Sequence, residues 1–162
     1  MDTLTLSYEL AISNPDMVHV PWSASPFGID ALHIHNGYLY WNNAYKATIF
    51  RLSISSDGYP AESEASSEFV VWVRSIYLEN FTFGPQGNET IWAASNGGNQ
   101  MVAITPDGNY SFVAGWPDQM ELGVQWRWNL ASSRVTSTLY VCTGGGSLNP
   151  INGTIFEGGK LT

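Results

Sequence analysis

Apolar and polar residues alternate along this chain in short runs, and each run ends at residues that turn the backbone. Between Leu78 and Trp116 there are four runs, Phe81 to Phe83, Thr90 to Ala94, Gln100 to Ile104 and Tyr110 to Ala114. Gly87-Asn88, Gly97-Gly98-Asn99 and Pro106-Asp107-Gly108 separate them. Aromatic and β-branched residues favour strands, and the separators accept the positive φ that tight hairpins need, so the stretch predicts a four-stranded antiparallel meander. One such sheet cannot bury both of its faces, which predicts stacking on further sheets of the same kind.

The chain contains approximate copies of this unit. Ile91-Trp92-Ala93-Ala94-Ser95 aligns with Leu39-Tyr40-Trp41-Asn42-Asn43 upstream and with Leu139-Tyr140-Val141-Cys142-Thr143 downstream, at a period of about 50 residues. Ahead of each lies a candidate inner strand: Ile29 to Ile34, Glu79 to Phe83, and Val124 to Leu130. Behind the first comes Lys46 to Ile54 with Glu68 to Val73, and behind the second come the last two runs of the opening unit. The third repeat offers Thr138 to Thr143 and Gly153 to Phe156. Four strands per repeat at this period predict an all-β chain of the β-propeller type, with blades over 28–73 and 78–116 and an incomplete blade over 123–162.

Residues 3–12, TLTLSYELAI, alternate as a strand but have no blade of their own, and Asn14-Pro15-Asp16 ends them. Pro15, Pro21 and Pro26 around Trp22 predict a loop, and the Ser- and Glu-rich insert Ser55 to Ser67 a solvated excursion. The orphan strand supplies the number needed to complete the third blade. Three blades do not close a ring, because closed propellers hold about four to eight. The expectation is therefore half of a six-bladed ring, completed by a second copy about a two-fold axis or by an amino-terminal half absent from this chain.

Composition narrows the partners. Only 12% of residues are charged, the net charge is -8, and the cations are Lys46, Lys160, Arg51, Arg74, Arg127 and Arg134. A polyanion needs a basic stripe, so nucleic-acid binding is not expected. No run reaches the length of a membrane span, and Met1-Asp2-Thr3 opens without a basic segment or apolar signal core. Four sequons, at Asn80, Asn88, Asn109 and Asn152, hint at a secretory origin, and localisation stays open. Cys142, the one cysteine, reads as a small buried hydrophobe.

Three stretches, Ser25 to Ala44, Glu79 to Asn96 and Gly144 to Leu161, resemble the carboxy-terminal half of fungal six-bladed propellers of the gluconolactonase-like, senescence-marker type. The likeness covers essentially the whole chain. It implies that full-length relatives are about twice this size. It also implies kinship with propellers that host hetero-Diels-Alder cyclisations in natural-product pathways, such as those of tropolone sesquiterpenoids. In the metal-dependent lactonases of that superfamily a Pro-Asn-Gly turn and an inner-strand Asp help to hold a cation. Here those places resemble Pro26-Phe27-Gly28 and Glu79, so a phenyl ring replaces one donor and Glu79 alone is left as a ligand for a lactonase reading.

Other chemistries lack their residues. No Gly-x-Ser-x-Gly elbow occurs, and His19, His33 and His35 have no triad spacing. His33 and His35 stand two apart on a strand and share a face, as a packed or surface pair does. Gly144 to Gly146 reads as a turn between strands, since no Lys-Ser or Lys-Thr follows it. What remains is a mouth of aromatic and amide groups. Phe27, Asp30, Glu79, Asn80, Gln125 and Trp126, near the starts of the inner strands, are the candidate rim, with Trp41 a further substrate-binding candidate. The alternative is that Phe27 and Trp126 pack between blades and Asp30 caps a turn. A rim of this kind suits an apolar, oxygen-bearing ligand, for which a cyclase needing no metal or organic cofactor is the leading expectation. A metal-dependent lactone hydrolase and a non-catalytic binding or scaffolding propeller are the rivals.

Overall fold

The computed structural model describes residues 4–22, 27–61, 68–72, 78–84, 88–95, 100–115, 130–132, 138–143, 154, 158 and 160–161. Among them, everything regular is β except a single 3-10 turn, Pro15–Met17. The first sheet is β1 (Ile29–His35), β2 (Tyr38–Asn43), β3 (Thr48–Ser53) and β4 (Glu68–Trp72), paired in chain order. The second repeats that order with β5 (Leu78–Phe83), β6 (Ile91–Ser95), β7 (Gln100–Ile104) and β8 (Tyr110–Ala114). The third has three described strands, β9 (Leu130–Ser132), β10 (Leu139–Thr143) and β11 (Lys160–Leu161), with β10 in the middle. All pairings are antiparallel.

The first two sheets are copies in register as well as in order. Leu32 pairs with Trp41 and Trp41 with Phe50 in the first; Phe81 pairs with Ala93 and Ala93 with Val102 in the second. Each has a bulge in its first strand, between Ile29 and Leu32 and between Leu78 and Phe81. Each has another irregularity between its third and fourth strands, at Ile49/Phe50 and at Met101/Val102. The turn after the third strand is also the same. Ser55 Oγ donates to Asp57 Oδ1 and to Tyr59 O, as Thr105 Oγ1 donates to Asp107 Oδ1 and to Asn109 O. Gly58 and Gly108 follow at φ 89° and 83°, a conformation that side chains with a Cβ disfavour. In the first sheet an isolated bridge, Ile54 to Pro60, holds the place of the Ile104–Tyr110 pair, and the insert separates it from β4.

Stacking follows from this register. One face of the first sheet, carrying Ala31, Tyr40 and Ile49, packs on the second sheet's Phe81, Phe83, Ile91, Ala93, Val102 and Ile104. The other face of the second sheet, with Ala94 and Met101, packs on Val141 of β10. Fully burying a side chain such as Phe81, 1% exposed, contributes about 1.5–3 kcal/mol, so these two seams are the main source of cohesion. They set β1 beside β5 and β5 beside β9.

The outer face of the first sheet, Leu39, Trp41, Phe50 and Leu52, is covered from another direction, by Ile12 and Met17 among others. Asn14 caps the 3-10 turn by accepting from Asp16 N–H at 2.8 Å. Asn43, fully buried, clamps the turn by donating to Asp16 O and Val18 O at 3.1 and 2.9 Å. Gly28 is required here, since a Cβ would lie 2.0 Å from Met17 O.

One sequence expectation meets a different fact, and two reach beyond the described residues. Residues 6–14 carry no strand, and Leu6 sits at φ 58°, outside the strand region; the segment finds no ladder edge within the described chain. Of the expected third-blade inner strand Val124 to Leu130, 124–129 lie outside the described residues, and Leu130 belongs to β9. The last described strand is Lys160–Leu161, where Cys142 and Thr143 find partners; of the expected Gly153 to Phe156 only Thr154 is described, in a turn.

Candidate functional site

The bulges of β1 and β5 put chemistry at matching places on adjacent strands. In each, three residue steps on the first strand oppose two on the second, so Asp30 with Ala31 and Glu79 with Asn80 are thrown out of regular pairing. Bulges re-aim side chains, and here both re-aim a carboxylate. One buried amide ties the two together. Asn42, 0% exposed, accepts from Ala31 N–H at 2.6 Å and donates to Leu78 O and Glu79 O at 2.7 and 3.1 Å.

Asn80 extends the link. Its Oδ1 accepts from Phe81 N–H at 2.8 Å and lies 3.3 Å from His33 Nε2. His33 in turn meets the Phe81 ring edge-on at 4.8 Å. Two residues on, His35 stacks on Phe83 with centroids 3.9 Å apart, and its Nε2 lies 3.3 Å from Glu89 Oε1, which also accepts from Asn36. The histidine pair thus binds β1 to β5 through rings and amides.

The carboxyl of Asp30 is pushed up to about 6 from its ordinary 3.8 by burial. The residue as a whole is exposed, so solvent screens the effect and no stability figure attaches to it. An acid in this state can donate a hydrogen bond in mildly acidic water. Glu79 and Asn80, on the neighbouring strand β5, are half-buried, and Phe27, 50% exposed, precedes β1.

The structure places Asp30 on one bulge and Glu79 and Asn80 on the other, on adjacent strands whose backbones Asn42 bridges, with Phe27 nearby along the chain. It does not bring Trp41 to them. Trp41 is 0% exposed and stacks on Phe50 at 5.8 Å in the opposite layer of the first sheet. Gln125 and Trp126 lie outside the described residues. Asn42 and His33 were missed as site elements, although two asparagines closing an apolar strand run, Tyr40-Trp41-Asn42-Asn43, already signalled a buried polar role. A cleft of about 500 Å³ lies elsewhere, between Ser7 to Ala11 and the Asp57–Tyr59 turn, where Tyr59 Oη donates to Glu9.

For the cation of a lactonase, the donors present do not make a set. Phe27 offers none, and among the described residues no three His, Cys, Asp or Glu side chains come together.

No family model matches the chain. Over 116 residues it is 28% identical to a protein of Phoma sp. named "Putative hetero-Diels-Alderase", a match that covers 71% of this chain and 32% of that protein. The chain spans about a third of the length of the curated relative it matches, and the likeness supports kinship with proteins of that kind.

Proposed function

We propose that this chain is part of a β-propeller that holds an apolar, oxygen-bearing intermediate at its mouth and promotes its hetero-Diels-Alder cyclisation. The paired bulges carry the reading: they set Asp30 beside a strand bearing Glu79 and Asn80, at the same register position of two stacked copies. The similarity to a protein named for that reaction is consistent with it.

The chemistry asks little of the protein. In the cycloaddition an oxygen-containing diene and an alkene exchange three π bonds for two σ bonds and one π bond, and no atom or electron leaves. Holding the two in near-attack geometry lowers the barrier, and the ring of Phe27 supplies surface for that purpose. A donor aimed at the heterodiene oxygen withdraws electron density as the bonds form. Asp30 in its acid form is that donor, and the amide of Asn80 a second; one such donor contributes about 100-fold in rate. The acid form fades as pH rises through about 6, and the contribution of Asp30 fades with it.

The test is incubation with quinone-methide precursors and polyene partners, comparing product ratios and enantiomeric excess with the spontaneous reaction. A changed ratio that returns to the spontaneous value in Asp30→Ala supports the proposal. An unchanged rate and stereochemistry with the intact protein would reduce the site to binding alone.

A further inference from the structure

Because the first two sheets share one register, each position has a counterpart whose surroundings can be compared. Leu32 and Ile34 correspond to Phe81 and Phe83. The phenylalanines are 1% and 6% exposed because the first sheet packs on them; Leu32 and Ile34 are 51% and 68% exposed. Ile12, Met17, Ile29 and Ile54 pack against the cluster formed by β2 and β3 on this face, while Leu32 and Ile34 of β1 stay exposed. At the far end of the stack, Tyr140 of β10 corresponds to Trp92 and Tyr40. Tyr40, 4% exposed, packs on the second sheet and Trp92 against the third, whereas Tyr140 is 44% exposed.

One end of the molecule thus presents a receiving face without its sheet, and the other a covering face without its seat. We infer that the two ends meet between copies: the third sheet of a second copy, at Tyr140, packs on the open face of the first sheet, at Leu32 and Ile34, and the reverse contact closes the ring. This rests on the propeller reading above. The faces differ, so joining like to like would leave both mismatched, and a head-to-tail contact must either close or run on as a fibre. Closure selects two copies. With the three sheets of the described residues in each, two copies give six, inside the range of about four to eight that rings adopt, while three such units alone or nine fall outside it. The occupant of the open face is then chemically defined, as a sheet with an aromatic residue at the Tyr40 position.

Sedimentation velocity on the full chain tests this, with an expected mass twice the 17.8 kDa of one copy. Ile34→Glu and Tyr140→Glu each place a charge in the contact, and each weakens the pair by about 30-fold or more. Both sites are exposed in the single chain, so circular dichroism stays that of the parent, and each variant melts as the parent does once dilution has dissociated it. Mixing the two variants restores a pair through the one unaltered contact, which neither variant forms alone. A wild-type monomer overturns the inference, as does a dimer indifferent to either substitution. A monomer that keeps the His33–Phe81 ring contact by NMR overturns only the pairing and points to a covering sheet in a longer polypeptide. Loss of that ring contact would instead sink the stacked-sheet reading itself.

Discussion

Replacing Asn42 by alanine should cost more than any surface change in this chain, and the structure says how much. The amide bridges β1 and β5 through one accepted and two donated hydrogen bonds. Ala31 and Leu78 are 8% and 1% exposed, so water does not replace the lost partner. An orphaned buried N–H costs about 1–3 kcal/mol, and the void left by the amide adds roughly 1 kcal/mol. The expected loss is about 2–4 kcal/mol, a large part of a typical domain's stability of about 5–15 kcal/mol. With a urea slope of about 2 kcal/mol/M, the unfolding midpoint should fall by about 1–2 M at unchanged slope. Asn42→Asp sharpens the test. Its carboxylate still accepts from Ala31 N–H, but at neutral pH it faces two carbonyl oxygens without a proton to offer. It should therefore be worse than alanine at pH 7 and recover as acid protonates it. A loss below about 0.5 kcal/mol for alanine, or an aspartate variant no worse than alanine at pH 7, would refute the bridge.

Other outcomes follow from the same geometry. Burial raises the folded pKa of Asp30 to about 6, so its contribution to stability is full below about 3.8 and is lost as pH rises through about 6. Melting curves of the parent should fall relative to Asp30→Asn across that window, and parallel curves would contradict the shift. Asp107 runs the other way: hydrogen bonds from Thr105 and Asn109 hold its carboxyl below the usual 3.8, so its contribution is present above that value and is lost as pH falls. Asp107→Asn should lower the melting temperature at pH 7 and converge with the parent in strong acid. Gly58→Ala and Gly108→Ala should each cost about 1 kcal/mol by thermal unfolding, since both hold a positive φ. A cost at one and none at the other would break the equivalence of the two turns.

Much of the fold was legible because hairpin punctuation and strand composition agree. Gln100–Ile104 and Tyr110–Ala114 fall where alternation and Pro106-Asp107-Gly108 put them. Ile91–Ser95 and Leu139–Thr143 fall where the repeat puts them. The turn pair could have been read too, since Ser55-Ser56-Asp57-Gly58-Tyr59 and Thr105-Pro106-Asp107-Gly108-Asn109 carry the same hydroxyl, carboxylate and glycine about 50 residues apart. The bulges could not. A bulge changes the register by one residue without changing composition, so Asp30 and Glu79 looked like strand starts when they are displaced positions inside β1 and β5. Trp41 was drawn toward the site by its chemistry, whereas period-two alternation sends it to the face opposite Asn42. Residues 3–12 show the limit of pattern alone, because alternation marks a segment able to pair and only a neighbouring edge makes it a strand.

The candidate site exists only if β1 lies against β5 with their bulges aligned. A NOESY spectrum of the folded chain tests this directly through two ring pairs, His33 with Phe81 at 4.8 Å and His35 stacked on Phe83 at 3.9 Å. Cross-peaks between both pairs, weakened in Asn42→Ala, are the predicted result. Folded protein with neither cross-peak would separate the two carboxylate-bearing strands and remove the site.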